Sequence, residues 1–183
     1  STNYPNVMIM QYMKQHDVAD VALMERTNKL MDSGYKKLVG FEAPQKGYEW
    51  FGGDPGHEAL TAYGVMQFSD MKNSYGAVDT AMLARTIAWL KSRRDGKGGY
   101  LRDAKALDSF GRASPEVTDA YITWALVSAG ERGLEKEITK LVKLSETTED
   151  AYQLALATGA LLEKSANASK AGLAAVARLA KMQ

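Results

Sequence analysis

Apolar and polar positions along the chain fall into two alternating kinds of helical segment. "PEVTDAYITWALVSA" at 115–129 is apolar on every side, through Val117, Tyr121, Ile122, Trp124, Leu126 and Val127, as a buried helix is. Ser114 fits its N-cap, Pro115 its first position and Gly130 its C-terminal cap. The following "GLEKEITKLVKLS" at 133–145 carries one stripe, Leu134, Ile138, Leu141 and Val142, with charged residues around the rest. That pattern predicts a surface helix with one buried face. Residues 150–162 are apolar nearly all round again, and 168–182 are amphipathic through Leu173, Val176 and Leu179.

The alternation extends towards the N-terminus. Residues 4–15 and 57–69 read as buried helices, while 18–38 and 79–94 read as outer ones, the latter with Leu83, Ile87 and Leu90 inward. An Ala-Tyr pair recurs at 62–63, 120–121 and 151–152, early in each inner segment. Repeating helical hairpins with an inner and an outer row imply an all-α fold, either a solenoid or a closed α/α toroid. Strand signals are nearly absent: "GYEWFGG" at 47–53 is either a short hairpin or a loop.

Composition narrows the function without choosing it. The 183 residues are 45% hydrophobic and 25% charged, with a net charge of +1, which suits one globular domain. No basic stripe with interleaved aromatics points to nucleic acid, and no apolar run of about 18 residues points to a transmembrane helix. The chain has no cysteine and two histidines, so it offers no thiolate nucleophile, no disulfide and no His-rich metal site. No cofactor is expected. The start, "STNYPN", lacks an initiator Met and a signal peptide, and leads us to expect an excised fragment or a processed end.

The candidate chemistry is sparse. "DGKGGYLRDAKALDSFG" at 95–111 is a long glycine-rich connection, and loops of that length tend to be functional or disordered. It is not a P-loop, since no Ser or Thr follows the Gly-Lys as required. It is not a calcium loop either, since Lys97 and Gly99 occupy ligand positions. A plain turn reversing an outer helix accounts for residues 96–99 but not for "RDAKALDSFG". His57 and Glu58 are adjacent on a helix, point about 100° apart and are read as structural rather than as an acid–base pair. His16 follows a helix end, where an imidazole suits the dipole. Met8, Met10, Met13, Met24 and Met31 lie at helical spacing and are read as core fill. Trp50 and Phe51 either cap the mouth of a ring or mark a surface that another domain covers.

Several stretches together resemble the thioester-containing domain of the alpha-2-macroglobulin and complement superfamily. They are "YPNVMIMQYM" at 4–13, "WFGGDPGHEALTAYGVMQF" at 50–68, "AWLKSRRDGKGGYLRD" at 88–103 and "VTDAYITWALVSAG" at 117–130, in order and at the right spacing. The resemblance implies an α/α toroid of antiparallel hairpins. Residues 1–183 are then expected to form a single partial toroid with about four of six hairpins, beginning just after the family's Cys-Gly-Glu-Gln thioester element. It further implies a non-enzymatic, extracytoplasmic parent, secreted or periplasmic, that covalently traps proteases or foreign surfaces.

In that family a loop residue beside the thioester decides how the acyl group is transferred, and the matching position here is Asp108. Histidine at such a position attacks first and passes the acyl group to hydroxyls, whereas Asp leaves amines to attack directly, since a carboxylate is the poorer nucleophile. The alternative is that Asp108 caps a turn. Expected partners are the parent's other domains, and target proteases or surface amines and hydroxyls. Self-association of an open toroid is also expected, because apolar inner faces would be exposed. Two other readings compete. One is a helical repeat that binds a protein without chemistry. The other is a terpenoid cyclase or prenyltransferase toroid, suggested by "RDGKGGY" but lacking the zinc-binding Cys or a DxDD motif.

Overall fold

Short acidic side chains start several of the helices. Asp20, Asp79 and Asp150 accept backbone N–H groups of the first turn and so open α2 (Val21–Val39), α4 (Thr80–Ser92) and α7 (Ala151–Leu162). Ser114 does the same for α5 (Pro115–Ser128), with Pro115 at its first position; Gly130 follows its C-cap in the left-handed region at φ +86°. The remaining helices are α1 (Tyr4–Gln15), α3 (Glu58–Ser74), α6 (Glu135–Thr147) and α8 (Ser169–Leu179), with a 3₁₀ turn at Lys164–Ala166. The computed structural model describes residues 3–103 and 113–182. Among these residues there is no β-strand, only isolated bridges at Glu42–Tyr48 and Arg94–Tyr100.

The helices α1, α3, α5 and α7 pack side by side in chain order as the inner row of the helical toroid. Each is followed by its outer partner, α2, α4, α6 or α8. The inner helices run the same way: Lys14 of α1 donates to the Ser74 carbonyl of α3 (2.6 Å), Ser128 of α5 donates to Glu163 just after α7 (2.6 Å), and the connection after α4 reaches the starts of α3 and α5 through Arg93–Glu58 (2.9 Å) and the Tyr100 N–H to Asp119 (3.3 Å). All inner N-termini therefore share one end of the layer, together with the connections that lead into them.

Two apolar clusters fill the space between the rows. One joins α1 to α4 around Val7, Met10, Met31, Phe68, Met71 and Met82; the other joins α3 to α7 around Ile122, Leu126, Leu141 and Leu161. Helix α3 feeds both, giving Phe68 and Met71 to the first and Ala62 and Val65 to the second. Burying such a side chain contributes roughly 1.5–3 kcal/mol.

The structure corrects the sequence reading at the two ends of the row. Helix α1 is not buried all round: Val7, Met10 and Met13 are buried, but Met8, Ile9 and Tyr12 are exposed, so Met8 is not core fill. In α7 the Ala-Tyr pair at 151–152 is exposed, unlike buried Ala62 and Ala120. In α8 the expected stripe points outward: Leu173 is 65% exposed and Val176 42%, while Gly172 and Ala175 are buried. Small residues prevail there because α8 lies close against α7; a Cβ on Gly172 would stand 2.9 Å from the Leu162 side chain.

Candidate functional site

The end that carries the inner N-termini includes the connection 40–57 and the described residues of the next one, 93–103 and 113–114. In the second, Asp95 donates its N–H to the Gly99 carbonyl (2.9 Å), while its carboxylate accepts the N–H groups of Lys97 (2.7 Å) and Gly99 (2.9 Å). Those two bonds hold the Asp95 carboxyl below the usual carboxylate range. The turn delivers Tyr100 into the core, 7% exposed, with its hydroxyl 3.3 Å from Thr123 Oγ1. Desolvation raises that phenol above its ordinary value. The Tyr100 N–H reaches Asp119 on α5 (3.3 Å), and the other Asp119 oxygen accepts Lys140 of α6 (2.8 Å). Arg94 reaches across the same turn to Glu137 of α6 with two parallel bonds of 2.8 and 2.9 Å.

Arg102 donates to the carbonyls of Ala113 (3.1 Å) and Ser114 (2.9 Å), a clamp that ties residue 102 to the start of α5. Asp108 lies outside the described residues.

His57 and Glu58 are close in sequence and separate in task. The His57 ring nitrogen Nδ1 accepts the Leu60 N–H (3.4 Å) as the cap of α3, whereas buried Glu58 accepts Arg93 Nε (2.9 Å). The Arg93 guanidinium in turn lies 5.8 Å from the Trp89 ring centre. His16 closes α1 with its ring 4.3 Å from that of Tyr12. Among the described residues no group of three His, Asp or Glu side chains is placed to hold a metal. No helix among them is long and apolar enough to cross a membrane.

The first connection repeats the second. Ala43 donates to the Gly47 carbonyl (2.8 Å), Tyr48 pairs with Glu42 and is buried, and the Tyr48 N–H is taken by Thr61 of α3 (2.8 Å). Where a short hairpin or a loop is expected at 47–53, the chain makes a turn over 43–47, with Tyr48 on its returning side. The shared Gly-Tyr of "KGYEW" and "GGYLR" was the sequence signal of this equivalence, and the reading by helical period passed over it.

Comparison with known proteins decides what this arrangement belongs to. The A-macroglobulin TED domain family matches across residues 1–183. The chain belongs to that family. It is also similar to ovostatin of Gallus gallus, 24% identical over 131 residues, a match covering 69% of this chain and 9% of ovostatin. The stretches that carry the resemblance to thioester domains map onto α1, α3, α5, the last turn of outer helix α4 and the two connections of this TED domain. They lie mostly on the inner row and at the end where its N-termini meet.

Proposed function

We propose that this TED domain serves a parent protein that captures its targets covalently through an internal thioester, stoichiometrically rather than by turnover. The 183 residues contain no cysteine, so the thioester would be formed by residues outside them. The family match over the whole chain is the observation that carries this reading. A local role for Asp108 is supported by the described residue Arg102, which is bound to the carbonyls of Ala113 and Ser114 at the N-terminus of α5, where developing negative charge is favoured. We take Asp108 as the residue that leaves amines to attack directly. Proteases or foreign surfaces bearing amines are the proposed targets, the parent's other domains the proposed neighbours, and an extracytoplasmic compartment the proposed location.

The test is chemical and belongs on the parent protein. Methylamine should release one thiol and leave a methylamide on the neighbouring Gln; no thiol would leave a domain that docks without chemistry. An Asp108→His parent should gain reactivity towards glycerol, and no gain would remove Asp108 from the role. The exposed Met8, Ile9, Tyr12 and Leu173 are the surfaces through which a second copy or another domain would pack. Light scattering at high concentration should give more than the mass of one 20.0 kDa chain; a single-chain mass would end the self-association part of the reading.

A further inference from the structure

A cavity of about 200 Å³ opens between the first connection and α3. On one side stands a single stripe of α3, Tyr63, Gly64, Gln67 and Phe68, and opposite it stand Phe41, Tyr48, Glu49 and Trp50. Phe41 and Trp50 are partly exposed at 39% and 41%, whereas Tyr48 and Phe68 are buried. Two polar groups inside are incompletely satisfied. Glu49 is 8% exposed; its Oε2 accepts the N–H groups of Phe51 (2.8 Å) and Gly53 (3.4 Å), but its buried Oε1 accepts nothing. Gln67 is 1% exposed, and neither atom of its amide has a partner.

Unsatisfied buried polar atoms are costly, about 1–3 kcal/mol each and more when charged, so a cavity lined by both residues calls for a ligand that pairs at least the carboxylate oxygen. The chemistry of the lining selects that ligand. No Lys or Arg lines the cavity, so the Glu49 carboxylate meets no cation from the walls. Five aromatic side chains surround it, and their faces attract positive charge. An ammonium has three donors and no acceptor; they can serve Glu49 Oε1, Gln67 Oε1 and a ring face, so it pairs both orphan oxygens and leaves only the Gln67 amide N–H groups. Anions are repelled by the carboxylate, and a neutral apolar guest leaves it unpaired. The space suits one aromatic ring or a short alkyl stem, since a cavity of about 150 Å³ accepts benzene.

We propose that this cavity is a binding site for a primary organic ammonium, borne by a small amine or by a lysine side chain of another protein. Three probes test it on the 183-residue chain: benzylammonium, neutral benzyl alcohol and N-acetyl-lysine amide, each followed by the NMR signal of the Trp50 indole. Benzylammonium should saturate the site at least tenfold more tightly than benzyl alcohol. Binding of the capped lysine as well identifies the protein-borne source; binding of benzylammonium alone identifies a small amine. Glu49→Gln should erase the tenfold preference. Because Glu49 also holds the backbone at 51–53, Gln67→Met provides an independent arm and should weaken both probes while the ammonium keeps its preference over the alcohol, which rests on Glu49. Equal affinity for amine and alcohol, no shift of Trp50 with either at millimolar concentration, or a folded Glu49→Gln variant that keeps the full preference would each overturn the proposal.

Discussion

The two connections at the loop end share a backbone plan and differ in what it encloses. In each, an outer helix ends in a hydrogen-bonded turn, a bridge residue reaches the next outer helix, and a buried tyrosine passes its N–H to an inner helix. The charge at the bridge is reversed between them. Glu42 receives two bonds from Arg85 of α4 (2.7 and 2.8 Å), whereas Arg94 gives two to Glu137 of α6. What the position requires is therefore a two-pronged ion pair, with either sign serving. Opposite signs in successive hairpins also set like charges against each other in any swapped order, which favours the native sequence of hairpins. The contents under the turns differ as well. Gly47 lies against the indole of Trp89, while Gly99 lies against the carboxylates of Asp95 and Asp119 and the Lys140 ammonium.

The sharpest way to break the comparison is to remove the carboxylate from each pair. The Glu137 side chain is fully buried and that of Arg94 is 29% exposed, whereas Glu42 and Arg85 are 14% and 38% exposed. Removing one partner of a buried pair costs about 3–5 kcal/mol, and a pair in contact with water is worth about 1 kcal/mol or less. Glu137→Ala should accordingly cost several times as much as Glu42→Ala in urea denaturation. Equal losses would mean that the two pairs sit in the same dielectric environment.

The glycines come next. A Cβ on Gly47, already at φ +77°, would stand 2.8 Å from the Trp89 ring, a rigid body that cannot turn aside within its packing. Left-handed strain and overpacking together make Gly47→Ala cost about 2–4 kcal/mol. On Gly99 the nearest atoms, at 2.7–3.1 Å, are the ends of Asp119, Asp95 and Lys140. Those ends can swing at the expense of a hydrogen bond, so Gly99→Ala should cost about 1–2 kcal/mol. A thermal melt showing the reverse order would place the rigid element under the second turn.

These contrasts also mark what was legible in the sequence. Helical period located the eight α-helices of the described residues and their two rows, with caps read only at α5, because each inner helix is apolar on most sides and each outer one on a stripe. The stripe failed at α8, where Gly172 and Ala175 allow close approach to α7 and win over Leu173 and Val176. It failed at α1, where apolar residues on the far side were taken as buried. The clamp, the ion pairs and the ammonium cavity were beyond reach for another reason. Arg94 and Glu137, or Glu49 and Gln67, are brought together by the hairpin stacking, and no local period relates them. Family resemblance reached the loop end only because its motifs happen to lie on the inner row and the connections.

Titration separates the groups by sign. Arg85 holds the Glu42 carboxyl below its usual value, and the backbone N–H groups of Gly99 and Lys97 do the same for Asp95. A lowered folded pKa contributes stability that is present above the ordinary carboxylate range and is lost as pH falls through it. At the other extreme, the hydrogen bond to Asp32 pushes Tyr75 up to about 12, and burial pushes Tyr121 up to about 12. Raised values contribute stability that is complete below pH ~10, the ordinary tyrosine value, and is lost as pH rises through ~10–12. Denaturation midpoints should thus fall at both ends. Absorbance at alkaline pH should show Tyr121 ionising together with unfolding; its independent ionisation in a still-folded chain would contradict its burial, and that of Tyr75 would mean that its bond to Asp32 does not hold.

The smallest contrast lies between the two buried tyrosines. The Tyr48 hydroxyl is given to the Met82 thioether (3.2 Å), a weak acceptor, so Tyr48→Phe should change stability by no more than about 0.5 kcal/mol. The Tyr100 hydroxyl meets Thr123 Oγ1, which already donates to the Asp119 carbonyl (2.7 Å) and so would not become an orphan donor if the phenol were removed. Tyr100→Phe should therefore cost about 0.5–1 kcal/mol, the net value of one neutral bond, rather than the larger penalty of a stranded group. A loss above about 2 kcal/mol at Tyr100 would mean that the phenol supports the Asp119–Lys140 arrangement beneath the second turn, and that the polar connection is the more cooperative of the two.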